Sequence, residues 1–146
     1  MQAIPWWLYA LLGAVCAALV SIFGKIGMKG VNSDLATAVR SIVQAGFVVG
    51  FALLVGVISN LRQQLHGRAI VMIVLSGVAG GLSWIFMFRA LQKADVSLVG
   101  PIDKLSMPLS IVLAVVLLHE RPTAINWIGI AMIGVGVYLA AHRITH

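Results

Sequence analysis

Charged residues are scarce in this sequence, since Asp, Glu, Lys and Arg together make up only 10% of its 146 residues. A soluble domain of this length has about a quarter of its residues charged. Hydrophobic residues make up 61%, which is more apolar surface than so short a chain can bury in a soluble core. The shortage of charge therefore excludes a soluble globular fold and predicts an all-α integral membrane protein surrounded by the lipid bilayer.

The sequence has few cysteines and no cluster of potential metal ligands. Each shortage argues against a class of function. Cys16 is the single cysteine, so neither an internal disulfide nor redox chemistry is expected. The histidines lie at no metal-ligand spacing, so no metal or other cofactor is predicted. The basic residues are scattered singly, which argues against nucleic-acid binding. The sequence shows neither a nucleophile–base pair nor a phosphate-binding loop, so an enzyme is not predicted. The four histidines are His66, His119, His142 and His146.

Five long apolar runs, separated by short polar breaks, occupy most of the chain. Each has about the 17–25 residues that a helix needs to cross a bilayer. Backbone groups in lipid must hydrogen-bond internally, so each run is predicted to be a transmembrane helix. Gly46 and Gly50, and likewise Gly77 and Gly81, are spaced for close helix packing. We expect one transmembrane domain, residues 1–146, with helices at about 6–24, 35–59, 69–91, 96–118 and 125–141.

The second run carries a polar stripe, because Thr37, Arg40, Ser41 and Gln44 recur at helical spacing. A cation at the centre of a bilayer costs about 2.5–3.5 kcal/mol on insertion scales, so such residues favour a functional role. We expect the stripe to face the bundle interior or water. The alternative for Arg40 is that its long side chain extends to the lipid headgroups.

The fourth run contains Asp103, the one carboxylate well inside a predicted span. Helical spacing places Asp103 and Ser106 on one face and turns Lys104 about 100° away. Asp103 and Lys104 could instead form a structural pair with another helix. Pro101 and Pro108 in the same run predict a bend with freed backbone carbonyls.

Several of these polar residues fall in the same half of the predicted bundle, which holds four cations and one carboxylate and is therefore expected to be electropositive. Trp84 lies inside the third run, where it either packs into a groove of neighbouring glycines or lines a cavity. The residues of this half are Lys25, Arg40, Arg89, Asp103 and Lys104. The predicted substrate or ion pathway consists of Arg40, Gln44, Trp84, Asp103 and Lys104, with Lys25, Thr37, Ser41, Arg89 and Ser106 as secondary candidates.

Four stretches carry a resemblance to a known family: KIGMKGVNSDLATAVRS (25–41), SWIFMFRALQKADVSLVGPIDKL (83–105), LLHERPT (117–123) and WIGIAMIGVGVYL (127–139). They resemble the EamA-type repeat of the drug/metabolite transporter superfamily. The resemblance implies one five-helix repeat, whereas full-length relatives carry two repeats in inverted orientation. The chain has His119 where the family usually has glycine. The first helix lacks the membrane-embedded Glu of the four-helix multidrug type, so that antiport mechanism is not implied.

The resemblance implies a secondary transporter that moves a small polar or amphipathic metabolite across the inner membrane by alternating access. One repeat needs a partner, so a homodimer is expected. If transport is coupled to protons, Asp103 is the expected carrier, and Arg40 and Lys104 are expected to hold an anionic substrate group. Two alternatives stay open: a flippase for a lipid carrier, and a non-transporting subunit of a larger membrane complex.

Orientation in the membrane is weakly specified by the basic residues that lie plainly in loops. Three of them fall on each side, so copies inserted both ways, and hence an antiparallel dimer, are expected. If Lys25, Arg40 and Arg89 are counted as well, a single orientation with the N-terminus outside is predicted. The two sets of three are Lys29, Lys93 and Arg143 against Arg62, Arg68 and Arg121.

Overall fold

The computed structural model describes residues 5–57 and 67–141. These residues form helices and no strand. Five spans among them are long and apolar enough to cross a membrane, which confirms the predicted all-α membrane fold. The fourth span is interrupted, so the helices are α1 (Trp6–Gly27), α2 (Ser33–Val55), α3 (Arg68–Lys93), α4 (Val96–Asp103), α5 (Ser106–Leu118) and α6 (Ala124–Ala141).

The helix bounds differ from the sequence expectation by a few residues at several ends. α1 continues to Gly27, beyond the expected end at residue 24. α2 begins earlier than expected because the Asn32 side-chain oxygen caps it, accepting hydrogen bonds from the backbone N–H groups of Asp34 (2.8 Å) and Leu35 (3.4 Å). The expected end of the second span at residue 59 lies outside the described residues, as do Arg62, His66, His142, Arg143 and His146.

The chain divides into two compact units. The first unit comprises residues 1–22 and 93–146; within it α4 and α5 both pack against α6. The second unit comprises residues 23–92. The single transmembrane domain expected from the sequence stays a prediction. The buried side chains among the described residues of the second unit are Met28, Ser33, Thr37, Phe88 and Leu91.

The fourth span breaks between α4 and α5, as its two prolines predicted. Pro108 has no N–H to donate, and its ring would clash with the carbonyl oxygen of Lys104 in an ideal helix. The backbone tightens there: Lys104 N–H donates to Pro101 O, Leu105 N–H to Ile102 O (both 3.0 Å), and Met107 N–H to Lys104 O (3.1 Å). These bonds span three residues instead of four, so the break is a short 3₁₀-like step.

α5 ends at His119, which adopts a left-handed backbone conformation with φ 58° and ψ 30°. A side chain at such a position costs about 1–2 kcal/mol, which glycine avoids. The histidine ends the helix in a conformation that glycine adopts without strain.

Most of the long apolar side chains on the described helices are exposed, and Leu54, for example, is 89% exposed. Such a surface is stable only in lipid. The glycine pairs Gly46/Gly50 and Gly77/Gly81 do not mediate close packing within their unit, because a Cβ atom added at any of them would meet nothing within 4 Å. Their predicted role in helix packing is therefore not seen among residues 5–57 and 67–141.

Candidate functional site

The second unit is built around Phe88, whose side chain is 2% exposed. Phe88 packs on Gly24 so closely that a Cβ atom at Gly24 would lie 2.9 Å from the ring. Only glycine allows α1 to approach the ring at this distance. Leu91, one turn further along α3, is fully buried, so the end of α3 is held firmly against α1.

Polar side chains tie the helix ends of the same unit together. The Lys25 ammonium donates a hydrogen bond to the backbone oxygen of Leu91 (2.6 Å). The Gln92 amide donates to the backbone oxygen of Val31 (3.1 Å), which fixes the loop between α1 and α2 onto α3. Lys25 therefore links the end of α1 to the end of α3.

Arg89 forms a two-pronged ion pair with Asp34. Its Nε lies 2.8 Å from Asp34 Oδ1, and its Nη2 lies 2.8 Å from Oδ2. Both side chains are about half exposed. Asp34 stands in the first turn of α2 and Arg89 in the second-last turn of α3, so the pair joins two helices at one membrane surface. The predicted electropositive half of the bundle must therefore include the negative charge of Asp34. The sequence expectation placed this residue in a loop and did not count it.

Arg40 lies deeper than Arg89 and has a different kind of partner. At 1.5 Å per residue, Arg40 is about 10 Å along α2 from its first residue. Its guanidinium carbon lies 3.7 Å from the centre of the Trp84 ring and 5.5 Å from that of Phe88. Trp84 and Phe88 meet edge to face, with ring centres 5.8 Å apart. Arg40 thus lies on an aromatic wall and is attracted to it by cation–π interaction.

Trp84 was expected either to fill a groove of glycines or to line a cavity. A Cβ atom at Gly77, Gly80 or Gly81 would have no neighbour within 4 Å, so the tryptophan does not fill that groove. Its contacts are with Arg40 and Phe88.

The polar stripe of α2 divides into satisfied and open groups. Thr37 is buried and its hydroxyl donates to Ser33 O, while the Ser41 hydroxyl donates to Thr37 O (both 2.8 Å). These bonds to the helix backbone satisfy both hydroxyl donors. Gln44 is exposed and has no hydrogen-bond partner among the described residues. Arg40 and Gln44 are therefore the open donors of the stripe.

In the first unit, Asp103 and Lys104 pair with each other across the helix break, with Lys104 Nζ 3.2 Å from Asp103 Oδ2. Asp103 is the last residue of α4 and Lys104 is its C-terminal cap, so the pair stands where the helix ends. The same break interrupts the face that Asp103 and Ser106 were expected to share. Ser106 is instead the exposed first residue of α5.

The described residues of the first unit line open cavities at two places. One, of about 390 Å³, opens beside the helix break, since Ile102 and Leu105 form part of its wall. The other, of about 430 Å³, lies at the far end of α5, next to Glu120 and Arg121. Within residues 5–57 and 67–141, no group of His, Cys, Asp or Glu side chains is arranged to hold a metal ion. The remaining walls are Gly134, Val137, Tyr138 and Ala141 for the first cavity, and Ile111, Pro122 and Asn126 for the second.

Sequence reasoning missed the two contacts that organise the second unit. The Asp34–Arg89 pair could have been found, because opposite charges stand at the start of one predicted helix and the end of another on the same side of the membrane. Nothing in the sequence singles out Gly24 among 15 glycines. Its importance depends on where Phe88 lies in the folded chain.

Comparisons with known proteins agree with this architecture. Residues 4–141 match the EamA-like transporter family. A protein of Sinorhizobium sp. named "Uncharacterized transporter in cobO 3'region" is 37% identical over 136 residues, which cover 93% of this chain and 96% of that protein. No solved structure matches the chain. With five apolar spans and a family match across nearly its whole length, this multi-pass membrane protein belongs to the EamA-like transporter family.

Proposed function

We propose that the protein is a secondary transporter that moves a small polar or amphipathic metabolite across the inner membrane by alternating access in a dimer. The family match and the relative named as a transporter support a transport function and give no support to an enzyme. The observation that carries the proposal is Arg40, a cation inside a span that stacks on Trp84 and has no carboxylate partner among the described residues. Such a residue is expected to act on a substrate or ion.

A second feature, in the other unit, supports transport independently. In many transporters, helices that are interrupted in the membrane expose backbone groups and charges to the substrate or coupling ion. The break between α4 and α5 has this character, with Asp103 and Lys104 at its edge. We propose Asp103 as the proton carrier if transport is proton-coupled, and Lys104 as a cation that attracts an anionic substrate.

Transport by the purified chain in lipid vesicles tests the proposal. A transporter should take up radiolabelled metabolites from a mixed extract, and Arg40→Met should abolish most of this uptake. Arg68→Lys is the control, because it changes an exposed arginine at the opposite end of α3 while keeping the balance of loop charges, and it should leave uptake near the parental level.

Two other functions would give different results in the same vesicles. A flippase would move a fluorescent lipid across the bilayer but take up no soluble metabolite. A subunit of a larger complex would move neither. Either result, with correctly folded protein, contradicts the proposed metabolite transporter.

The dimer is proposed to be antiparallel, because a single repeat can supply the inverted partner only from a second copy. The contacts of Lys25, Arg40 and Arg89 within the second unit support leaving them out of the count of loop charges. The remaining basic residues then stand three against three, which permits insertion both ways.

Reporter proteins fused to the C-terminus test this arrangement, one active only in the cytoplasm and one only outside it. Comparable activity of both supports dual insertion, and two lysines added beside Arg143 should then strongly favour one orientation. Activity of the cytoplasmic reporter alone would rule out the antiparallel homodimer and leave a parallel dimer or a different partner chain.

A further inference from the structure

The contact between Arg40 and Trp84 leaves the hydrogen-bonding edge of the guanidinium open. The guanidinium carbon is 3.7 Å from the Trp84 ring centre, so the group lies over the ring and not beside it. A planar guanidinium stacked in this way uses one face, while its five N–H groups point outward in its own plane. The stacking fixes the position of the cation without occupying its donors.

These donors have no acceptor among the described residues. Arg89, on the neighbouring helix, is the internal comparison, since two of its nitrogens are bound by the oxygens of Asp34 at 2.8 Å. The hydroxyls beside Arg40 on α2, those of Thr37 and Ser41, donate to backbone oxygens. Of these two arginines of the unit, Arg89 is already bound to a carboxylate, whereas Arg40 is positioned but unbound.

Gln44 extends the open donor surface by one helical turn. It stands four residues after Arg40, so the two side chains share a face of α2. Its amide group has no partner among the described residues either and can donate two hydrogen bonds. An acceptor bound at Arg40 therefore has a second, neutral donor within reach.

We propose that Arg40 is a binding site for an oxyanion, either a carboxylate or a phosphate, held edge-on by the guanidinium and assisted by Gln44, with Trp84 covering one face. A guanidinium fork matches the two oxygens of such a group, and bonds between charged partners are the stronger ones. This deepens the proposed function, on which it rests for the identification of the bound group as part of the substrate. The preferred metabolites are then anions.

Trp84 provides the signal for the experiment, because it lies against the cation that binds. Trp6→Phe, Trp7→Phe and Trp127→Phe together leave Trp84 as the sole tryptophan. This variant, in nanodiscs of uncharged phosphatidylcholine, is titrated with acetate, succinate, inorganic phosphate and glycerol 3-phosphate, at an ionic strength held constant with sodium chloride. We expect a saturable change in Trp84 emission with at least one of the four anions and none with chloride.

Variants of the binding residues then identify the donor. Arg40→Met should weaken binding about ten- to a hundredfold. Arg40→Lys keeps the charge but not the fork and should weaken it less; Gln44→Leu should have the smallest effect. Arg68→Met is the control and should bind normally. Because Arg40→Met could disturb folding, Arg40→Lys, checked by its thermal unfolding, is the second comparison.

Nanodiscs containing phosphatidylglycerol separate the two sources of an oxyanion. If anionic lipid changes the emission while the four solutes do not, the bound group is a lipid headgroup. No response to any of the four anions or to anionic lipid, or a response that persists unchanged in Arg40→Met, overturns the proposal.

The transport assay fails separately from this binding assay. Anion binding without uptake in vesicles would contradict the transporter and keep the site. Uptake of neutral or cationic metabolites, with no change in Trp84 emission on adding anions, would contradict the anion site and keep the transporter.

Discussion

The two units treat their charged residues in opposite ways. In the second unit, Asp34 and Arg89 are 55 residues apart in the chain and meet across two helices. In the first unit, Asp103 and Lys104 are neighbours in the sequence and pair at the break in one span. A pair between helices stabilises their packing, whereas a pair within a turn contributes little to it. We therefore expect the Asp34–Arg89 pair to act in the structure of the second unit, and the Asp103–Lys104 pair to stay available for function.

The largest effect on stability is expected at Gly24, in the packed core of the second unit. Gly24→Val would push its side chain into the buried Phe88 ring and should lower the free energy of unfolding by about 1–3 kcal/mol. Gly13→Val is the control on the same helix, since a Cβ atom there meets nothing within 4 Å. Thermal unfolding in detergent measures both variants. Equal melting temperatures would mean that the close contact does not stabilise the unit.

The next effect should be a gain, at the end of α5 in the first unit. His119→Gly removes the strain of a left-handed side-chain position but increases the freedom of the unfolded chain. The net stabilisation should be roughly 0.5–1 kcal/mol. His119→Ala keeps the strain and should give no gain in the same unfolding measurement. If His119→Ala were as stable as His119→Gly, the backbone conformation at this position would not be strained.

A smaller loss is expected from breaking the ion pair of the second unit. Asp34→Arg places two cations at one helix junction and should lower the melting temperature slightly, because exposed pairs contribute little. Adding Arg89→Asp should recover part of the loss, although the exchanged charges suit the helix dipoles less well. The control, Arg68→Gln, should leave the melting temperature unchanged. If the double variant recovered nothing, the pair would not link α2 to α3.

The smallest effect on stability, and the largest on transport, is expected at the pair of the first unit. Asp103→Asn and Lys104→Met should unfold near the parental temperature and insert normally, but lose transport in vesicles. Arg62→Ala should reduce transport only mildly. Normal transport by both Asp103→Asn and Lys104→Met would show that these residues lie outside the pathway. A large loss of stability instead would remove the distinction between the two units.

The five spans could be predicted from the sequence because the backbone of an apolar segment in lipid must form its hydrogen bonds within a helix. The break in the fourth span was equally predictable, since proline acts on its own helix. The Gly24–Phe88 contact was not predictable, because it depends on how two helices approach each other. Among the described residues, the glycine pairs make no close contact for a similar reason. Their spacing shows that close packing is possible, but not which other helix lies beside them.

For the candidate site, helical spacing correctly indicated the polar stripe of α2 but not the partners of its members. Arg40 and Trp84 were both selected for their depth, yet nothing in the sequence indicated that they touch. Asp34 was overlooked because it was counted as part of a loop, although capping by Asn32 places it in the first turn of α2. Whether the selected residues line a substrate pathway stays a prediction.

The partnership of Arg40 with Trp84 also has a consequence for biosynthesis. Trp84 is synthesised roughly 44 residues after Arg40, a delay of about 2–9 s at 5–20 residues per second. During that interval α2 has no aromatic wall to cover its arginine. Its insertion then depends on its own apolar residues, such as Phe47 and Leu54, which must outweigh about 2.5–3.5 kcal/mol for the cation. Polar substitutions there should therefore lower the yield of inserted protein, even where they leave the finished fold unchanged.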